Sequence, residues 1–317
     1  MGIDCLCAGI LFADHACTPI SKIPDAGELV PTDRTQLGLG GCASNAALDL
    51  AKLGVKVGVS GCVGDDVFGN LIIGELDHCN VDTSGIHRLP DIHTASTLII
   101  NVEGQDRRFI STPGANARFT VEHIPNDWVR QAKVLYVGGF LMMEELENEK
   151  TVDLFRTARA GDTKTVLDVV LLGGREQIKA LKPILPETDV FLPNDHEAAV
   201  LTSLTDPIEQ AEFFRDLGAK MVVITKGSEG AILLSDNVRI RSGVYPTEYV
   251  GGTGSGDAFD AGFIAGMLSD QDPASCLRWG SALGASCVRA IGATESVFTR
   301  LEAEAFIKEH DFKIQAI

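Results

Sequence analysis

The sequence predicts a three-layer α/β/α sandwich with a mainly parallel central sheet, to which a small β-sheet lid is added. Short runs rich in β-branched residues, such as KVLYVGGF and KTVLDVVL, alternate with amphipathic stretches of helical length, such as NEKTVDLFRTARA. Strands that alternate with helices form a parallel sheet whose two faces the helices cover. Residues 12–38 and 94–112 interrupt this alternation, and they supply the predicted lid.

The two lid segments have the composition of inserted β-structure. Residues 12–38 are polar, rich in Pro and Asp and poorly helical, whereas residues 94–112 alternate around a glycine like a β-hairpin. No repeat or low-complexity linker divides the chain, so residues 1–317 are expected to form one domain that contains both insertions. The alternating stretch STLIINV is hydrophobic enough to predict a homodimer in which the lid packs against its copy.

The elements of the body follow in chain order. MGIDCLCAGI turns apolar at once and has no basic n-region, so it predicts a buried first strand rather than a signal peptide. GLGGCASNAALDLAKLG runs from glycines into a helix. After the strands and helix named above, DVFLPN, KMVVITKG and GAILLS predict strands, and IEQAEFFRDLG predicts a helix. The stretch GGTGSGDAFDAGFIAGML is a glycine-rich loop before a helix with its large apolar residues on one face.

Composition excludes several classes of partner. The 317 residues are 45% hydrophobic and 22% charged, as in an ordinary soluble globular protein. The formal net charge of −17 would repel a nucleic-acid backbone, and no apolar run reaches the roughly 18 residues of a membrane span. The eight cysteines are scattered without a CxxC pair, which favours buried thiols in the cytoplasm over disulfides or a zinc site.

The loop GGTGSGD carries the clearest chemistry. Its glycines let several backbone N–H groups point into one concavity at a helix N-terminus, which forms an anion hole. Asp257 adds a carboxylate close to the place where negative charge would collect. This suits a general base that takes the proton of a hydroxyl while that oxygen attacks a phosphoryl group. The alternative is that the helix dipole alone favours Asp257 in the first turn.

A second glycine loop, with Gly40, Gly41 and Asn45, also leads into a helix. Small residues let a ligand approach the backbone, and an Asn amide can both donate to and accept from sugar hydroxyls. An ordinary strand-to-helix turn would give the same pattern. In LPNDHEA, Asn194 and Glu197 lie three residues apart and face the same way on a helical turn, which suits outer-shell binding of hydrated Mg²⁺.

A third glycine-containing stretch, VVITKGSEGAILL, predicts a tight turn between two strands. Gly227 and Gly230 make the turn, and Thr225 and Gly227 are expected to border a nucleotide.

Together these stretches resemble the ribokinase family of carbohydrate kinases, also called the PfkB family, over nearly the whole chain. The C-terminal signature of that family usually reads Asp-Thr-Thr-Gly-Ala-Gly-Asp, and Thr253, Gly254, Gly256 and Asp257 match it. The other matches are Gly40, Gly41 and Asn45 to the N-terminal signature, Asn194 and Glu197 to the NxxE motif, Asp14 to the early sugar-binding Asp, and Asn116 in PGANARFT to the Gly-Ala-Asn stretch.

The resemblance implies transfer of the γ-phosphate of ATP to a hydroxymethyl group, with Mg²⁺. Asp257 would be the base, and the N–H groups of Gly254, Ser255 and Gly256 would hold the charge on the transferred phosphoryl group. The remaining implied roles are sugar binding by Asp14, Gly40, Gly41, Asn45 and Asn116, nucleotide binding by Asn194, Thr225, Gly227, Gly230 and Ser281, and Mg²⁺ binding through water by Glu197. Arg175 is a further candidate substrate ligand because of its basic side chain.

Three departures from the family pattern affect specificity. Gly251 stands where the family usually has an Asp that helps to hold a monovalent cation, so only weak activation by K⁺ is expected. Ser281 replaces an Asn that is often found near the adenine. Cys42 replaces the Lys that is common in ribokinases, so this motif looks more like those of fructokinases and 2-keto-3-deoxygluconate kinases.

A neutral small sugar is the expected substrate, because a sugar phosphate needs a basic pocket and only Arg107, Arg108 and Arg175 are placed to form one. A sugar acid, a nucleoside or a sugar phosphate remain alternatives, as does a catalytically silent regulator that binds sugar or nucleotide. A Rossmann-type dinucleotide enzyme is disfavoured, because its glycine motif follows the first strand, whereas GGTGSGD lies near residue 250.

Overall fold

A computed structural model describes residues 2–105 and 107–317. Its strands are β1 (Cys5–Gly9), β2 (Phe12–Cys17), β3 (Thr35–Gly40), β4 (Val57–Gly64), β5 (Asp82–Leu89), β6 (Ser96–Ile100), β7 (Arg108–Thr112), β8 (Val134–Gly138), β9 (Lys164–Leu167), β10 (Val190–Phe191), β11 (Met221–Thr225), β12 (Ala231–Ser235), β13 (Arg239–Ser242) and β14 (Ile314–Ala316). Its α-helices are α1 (Cys42–Lys52), α2 (Val67–His78), α3 (Asn126–Gln131), α4 (Glu149–Ala160), α5 (Ile178–Leu181), α6 (Asp195–Thr202), α7 (Pro207–Asp216), α8 (Ser255–Leu268), α9 (Pro273–Cys287) and α10 (Arg300–Glu309).

The central sheet has the strand order β5-β4-β1-β8-β9-β10-β11-β12-β13-β14. Neighbours from β5 to β11 are parallel, and those from β11 to β14 are antiparallel. Strand β1 is buried along its whole length, and its residues alternate between two apolar clusters. Leu6 belongs to one cluster, whereas Cys5 and Cys7 belong to the other. The sheet therefore separates two cores.

Helices cover both faces of this sheet. Apolar residues of α3, α4, α5, α6 and α7 fill one core, and those of α1, α2, α8, α9 and α10 fill the other. The predicted three-layer α/β/α sandwich with a mainly parallel sheet is confirmed.

A smaller sheet of four strands has the order β3-β2-β6-β7. Strands β6 and β7 pair antiparallel, which confirms the hairpin predicted within residues 94–112. Strand β2 pairs antiparallel with β3 and parallel with β6. In the latter pairing Asp14 stands opposite Thr97, and the adjacent pair, His15 and Leu98, faces the other side of the sheet.

Helix α8 differs from the expected amphipathic helix. The sequence predicts one apolar face, but every residue from 258 to 266 is buried. The reason is that α9 packs directly on α8. A Cβ on Gly262 would lie 2.4 Å from the carbonyl oxygen of Trp279, so the two helices can approach this closely only where the side chain is absent.

Within the described ranges, none of the helices combines the length and the hydropathy that crossing a membrane requires. All eight cysteines in the described part of the chain are free thiols.

Candidate active site

The polar residues that the sequence singles out meet at one edge of the central sheet. Parallel strands end at the same edge, and the loops beyond their carboxyl ends form the usual ligand crevice of open α/β sheets. Asp168 follows β9, Asn194 follows β10 and Thr225 ends β11. A short parallel bridge joins Asn194 to Thr225.

Asp257 is held by a side chain from the other glycine loop. The Nδ2 atom of Asn45 on α1 donates to Oδ2 of Asp257 on α8 at 2.8 Å. Burial raises the pKa of Asp257, and hydrogen bonds from Asn45 and Cys42 partly oppose this effect. A carboxylate with a raised pKa is a stronger proton acceptor, so the site contains a positioned base.

The glycine loop before α8 has the backbone geometry of a helix N-terminal anion site. Gly254 precedes the helix with a φ of 77°, and a Cβ there would lie 2.4 Å from the carbonyl oxygen of Ala293. Gly256 has no atom within 4 Å of its Cβ position among the described residues, so this side of the first turn is open. The Ser255 N–H bonds to the Gly252 carbonyl at 3.3 Å. The N–H groups of Gly254 and Gly256 have no hydrogen-bond partner among the described residues, so they are open donors at this helix terminus.

Asp14 faces this site from the smaller sheet. A Cβ on Gly40 would lie 2.1 Å from Oδ2 of Asp14, so the glycine makes room for the carboxylate. Burial and, second, the charge of Asp257 raise the pKa of Asp14 to about 7, whereas a hydrogen bond with Thr97 lowers it. Gly41, with a φ of 91°, forms the N-terminus of α1 beside them.

Asp168 is a site residue that sequence reasoning missed. It is 8% exposed, and its Oδ2 accepts the Gly139 N–H at 3.0 Å. Burial, followed by the charge of Asp257, raises the pKa of Asp168 to about 7. Its position at the carboxyl end of a predicted parallel strand, KTVLDVVL, is the signal that could have identified it.

Asn194 and Glu197 form a reciprocal cap at the start of α6. Asn194 Oδ1 accepts the Glu197 N–H, and Glu197 Oε2 accepts the Asn194 N–H, both at 2.9 Å. The pair therefore has a structural role in holding the helix terminus. Burial, followed by the charge of Asp168, raises the pKa of Glu197, while its hydrogen bonds with Asn194 lower it.

The predicted nucleotide-side residues lie on two elements. Gly227 and Gly230, with φ values of 51° and 88°, form the turn between β11 and β12, which starts after Thr225. The turn is closed by a bond from the Lys226 N–H to the Gly230 carbonyl at 2.8 Å. Ser281 is half-buried on α9.

Two predicted sugar ligands are positioned differently from the expectation. The Asn116 amide accepts the Leu11 N–H at 3.1 Å and donates to the Leu11 carbonyl at 3.0 Å. Asn116 is 1% exposed, and both of these bonds hold the backbone before β2. Arg175 is exposed in a short turn after β9.

A loop of residues 292–296 lies behind the anion-binding loop. The Cys287 thiol lies 3.3 Å from the Thr253 carbonyl oxygen and 3.0 Å from that of Ala293, so it connects the two loops. Gly251 offers no carboxylate at this junction, and its Cβ position lies 3.0 Å from the Ala290 carbonyl oxygen.

The same loop also contacts a cation from α1. The Lys52 ammonium donates to the Thr294 carbonyl oxygen and lies 3.9 Å from a carboxylate oxygen of buried Asp49. A positive charge of the chain itself therefore contacts the loop behind the anion hole.

Comparison with known proteins identifies the family of this chain. The model of the pfkB family carbohydrate kinases matches residues 4–300. The ribokinase of Haemophilus influenzae is 27% identical over 307 residues, which cover 95% of this chain and 97% of that protein. The 5-dehydro-2-deoxygluconokinase of Clostridium tetani is 26% identical over 285 residues, which cover 86% of this chain and 84% of that protein.

Solved structures share the fold. An E. coli protein assigned as ribokinase II, in complex with ATP and Mg²⁺, gives a TM-score of 0.84 at 24% identity, over 97% of this chain and 100% of that one. Arabidopsis thaliana ribokinase, complexed with ribose and ATP, gives a TM-score of 0.82 at 24% identity, over 97% of this chain and 99% of that one. Because the family model spans nearly the whole chain, the protein belongs to the pfkB family of carbohydrate kinases.

Proposed function

We propose that this protein transfers the γ-phosphoryl group of ATP to a hydroxymethyl group of a small sugar, with Asp257 as the general base. The observation that carries the proposal is the bond from Asn45 to Asp257, which fixes a carboxylate of raised pKa beside the open N-terminus of α8. A fixed base next to an anion hole is the arrangement that in-line phosphoryl transfer to a hydroxyl requires.

Each part of the site has a defined role in this reaction. Asn45 orients Asp257, which accepts the proton of the attacking hydroxyl. The N–H groups at Gly254 and Gly256 stabilise the charge that develops on the transferred group, a contribution of roughly 3 kcal/mol per donor. Asp14 accepts hydrogen bonds from the sugar hydroxyls and orients the acceptor.

ATP and Mg²⁺ are the proposed co-substrate and metal ion. The E. coli relative was solved with both, and the Arabidopsis relative with ribose and ATP. The carboxyl groups of buried Asp168 and Glu197 and of half-buried Asp257 are hard oxygen donors of the kind Mg²⁺ prefers, directly or through water. When bound, Mg²⁺ neutralises charge on the phosphates. Thr225, Gly227, Gly230 and Ser281 are proposed to border the nucleotide.

A neutral sugar is the proposed acceptor. The lid face that carries Asp14 also presents the hydroxyls of Thr97 and Ser111, which lie 3.1 Å apart, and such groups suit hydroxyl recognition. A sugar that bears a carboxylate or phosphate is the second candidate. It is favoured by Arg107, whose Nη1 atom lies 2.4 Å from the Cβ position of Gly252.

Residues 12–38 and 94–112 are proposed to act as a mobile lid. The cleft between the smaller sheet and the body is a cavity of about 20 Å³, lined by Asp14, Gln36, Ile99, Thr253 and Gly292 among others. This volume has room for about one water molecule, so a sugar can enter only when the lid opens. Arg34 of the lid lies 3.8 Å from Glu295 of the body, an exposed ion pair that opening would break at little cost.

A homodimer through the lid is also proposed. Leu37, His15, Leu98 and Ile110 form a continuous row across the four strands. The three apolar side chains of this row are 44%, 47% and 60% exposed. Contiguous exposed apolar surface of this kind favours burial against a second copy. The eight free thiols support a reducing compartment such as the cytoplasm.

The experiment that tests the proposed function is a product assay with ATP, Mg²⁺ and a panel of aldoses, ketoses, sugar acids, sugar phosphates and nucleosides. We expect ADP and a phosphorylated neutral sugar to form in equal amounts for at least one neutral sugar. Turnover with phosphorylated or acidic sugars alone favours the second candidate. Failure to phosphorylate any member of the panel contradicts the proposal.

A further inference from the structure

A thiol and two carboxylates, one of them the proposed base, form a compact group of metal-ligand type. One ligand atom each from Cys42, Asp168 and Asp257 lies within 4.8 Å of the other two. Cys42 and Asp168 are 7% and 8% exposed, and Asp257 is half-buried, so the group opens to solvent through Asp257. The phosphoryl transfer outlined above gives the thiol no role.

The dimensions of this group suit a small tetrahedral ion. Bonds of about 2.3 Å to sulfur and 2.0–2.2 Å to carboxylate oxygen place neighbouring ligands roughly 3.3–3.8 Å apart. Separations of at most 4.8 Å therefore need side-chain shifts of about 1 Å or less to close around an ion.

The side chain that holds Asp257 contains an unsatisfied oxygen atom. The Oδ1 atom of Asn45 is buried and has no hydrogen-bond partner among the described residues. Asn45 is 2% exposed, and the Nδ2 atom of the same amide bonds to Asp257 at 2.8 Å. A buried acceptor without a donor is costly, so it indicates that a partner is missing from this part of the site.

The surroundings also favour a cation. Buried Asp260 lies on α8 one turn beyond Asp257 and accepts a hydrogen bond from Tyr136 at 3.1 Å, and Asp14 faces the same carboxylate from the lid. Several desolvated carboxyl groups around one point create a negative potential there, and a bound cation reduces the repulsion between them.

We propose that Cys42, Asp168 and Asp257 form an inhibitory site for a thiophilic divalent cation, with Zn²⁺ as the best match. Binding forms a bond between the metal and the Cys42 sulfur and releases the thiol proton to solvent, without a change of oxidation state. The thiolate selects Zn²⁺ over Mg²⁺, which prefers six oxygen ligands. The inhibitory effect, but not the binding, rests on the proposed function, because the metal occupies the carboxylate that accepts the substrate proton.

The binding test uses Co²⁺ as a spectroscopic substitute for Zn²⁺ on the nucleotide-free protein. We expect one Co²⁺ per chain, a thiolate-to-cobalt charge-transfer band in the near ultraviolet, and loss of that band when Zn²⁺ is added. Cys42→Ser should abolish the band and weaken Zn²⁺ binding at least about tenfold. Cys62→Ser, which removes another buried thiol from β4, is the matched control and should behave like the wild type.

Absence of the band in the wild type, or its persistence in Cys42→Ser, overturns the proposal. If Cys42→Ser does not fold, Asp168→Asn tests the proposed ligand set instead. This variant keeps the thiolate band at saturating Co²⁺ but should bind Zn²⁺ at least about tenfold more weakly than the wild type. Unchanged affinity in Asp168→Asn contradicts the proposed ligand set.

The inhibition test compares each variant with its own rate in the presence of a chelator. Zn²⁺ should inhibit wild-type phosphoryl transfer reversibly, and Cys42→Ser should need at least about ten times more Zn²⁺ for the same fractional inhibition. Equal sensitivity of the two proteins contradicts the inhibitory role. If no sugar is phosphorylated at all, the proposed function fails, whereas the cobalt spectra still decide whether the site exists.

Discussion

At the scale of single residues, the site brings together more desolvated carboxyl groups than folding alone would favour. Asp14, Asp168, Glu197, Asp257 and Asp260 are all at least partly buried, and the pKa of each is raised, with burial as the largest cause. Groups that a fold desolvates without full compensation usually serve binding or catalysis. Stability is therefore expected to depend on their protonation.

The first prediction concerns that dependence. The folded-state pKa values of Asp14 and Asp168, about 7, lie above the value of about 3.9 in the unfolded chain. Protons on these groups stabilise the fold fully below about pH 4, and this stabilisation is lost as the pH rises through about 7. The contribution to the free energy of unfolding is on the order of 2–4 kcal/mol per group. Asp257→Asn removes a charge that contributes to both shifts, so it should stabilise the protein more at about pH 8 than at about pH 5.

Urea unfolding of both proteins at the two pH values measures this effect. The comparison between variants cancels the groups elsewhere in the chain whose pKa values are lowered. An equal difference in unfolding free energy at the two pH values contradicts the electrostatic coupling of Asp257 to Asp14 and Asp168.

Sequence reasoning identifies residues better than it identifies their partners. Asp14, Asn45 and Asp257 lie in short local patterns, and the structure brings them together. The bond between Asn45 and Asp257 spans 212 positions, so no local pattern contains it. Asp168 follows a strand without a glycine loop or a helix cap, and it becomes a site residue only because the sheet aligns the ends of its parallel strands. Asn116 looks like a ligand in the sequence because a side-chain amide bonds equally well to a sugar or to the Leu11 backbone.

At the scale of elements, the loop of residues 292–296 is held against the anion hole by groups of the protein itself. The Cys287 thiol connects it to the Thr253 carbonyl, and Lys52 bonds to Thr294. Because Gly251 supplies no carboxylate, K⁺ should stimulate turnover less than about threefold. Rates in K⁺ and in a bulky organic cation, at equal ionic strength, measure the stimulation.

Gly251→Asp provides the matched variant for this measurement. The new carboxylate should increase the response to K⁺, although its Cβ must fit 3.0 Å from the Ala290 carbonyl oxygen. Strong K⁺ dependence of the wild type, tenfold or more, would show that carbonyl groups alone suffice and would contradict the prediction.

Closure of the lid, which contains the smaller sheet, can be tested in solution. Phosphoryl transfer must exclude water, so sugar binding should favour the closed lid. Hydrogen exchange with and without the sugar is expected to show added protection mainly in residues 12–38 and 94–112. Protection that appears elsewhere, while these segments remain unchanged, means that another part of the chain closes the site.

Elements with a strong hydrophobic periodicity can be predicted from their own sequences, whereas features that depend on tertiary contacts cannot. Helix α4 and the hairpin of β6 and β7 follow from their own sequences. The burial of α8 on nearly all sides depends on α9, which approaches through Gly262, and no window of α8 contains that information. Strand β14 has only three residues, IQA, two of them exposed, so it is too short for a strand pattern to be recognised and only its pairing with β13 defines it.

At the scale of the whole molecule, the exposed apolar row of the lid predicts a dimer. Leu98→Lys or Ile110→Lys places a charge in the proposed interface, so either change should convert the dimer to a monomer, as measured by analytical ultracentrifugation. Leu172→Lys is the matched control, because Leu172 is an exposed apolar residue outside the lid, at 67% exposure. A wild type that is monomeric at micromolar concentration contradicts the proposed interface.

The proposed reaction depends most on Asp257 as the base of the phosphoryl transfer, and the kcat of Asp257→Asn with the best sugar tests this role most directly. Glu149→Gln is the control, because it also removes a first-turn carboxylate, at the start of α4 and away from the site. We predict that Asp257→Asn retains its fold and its affinity for ATP and sugar but loses at least about two orders of magnitude in kcat, while Glu149→Gln retains its rate. Turnover by Asp257→Asn close to that of the wild type would contradict the role of Asp257 as the base.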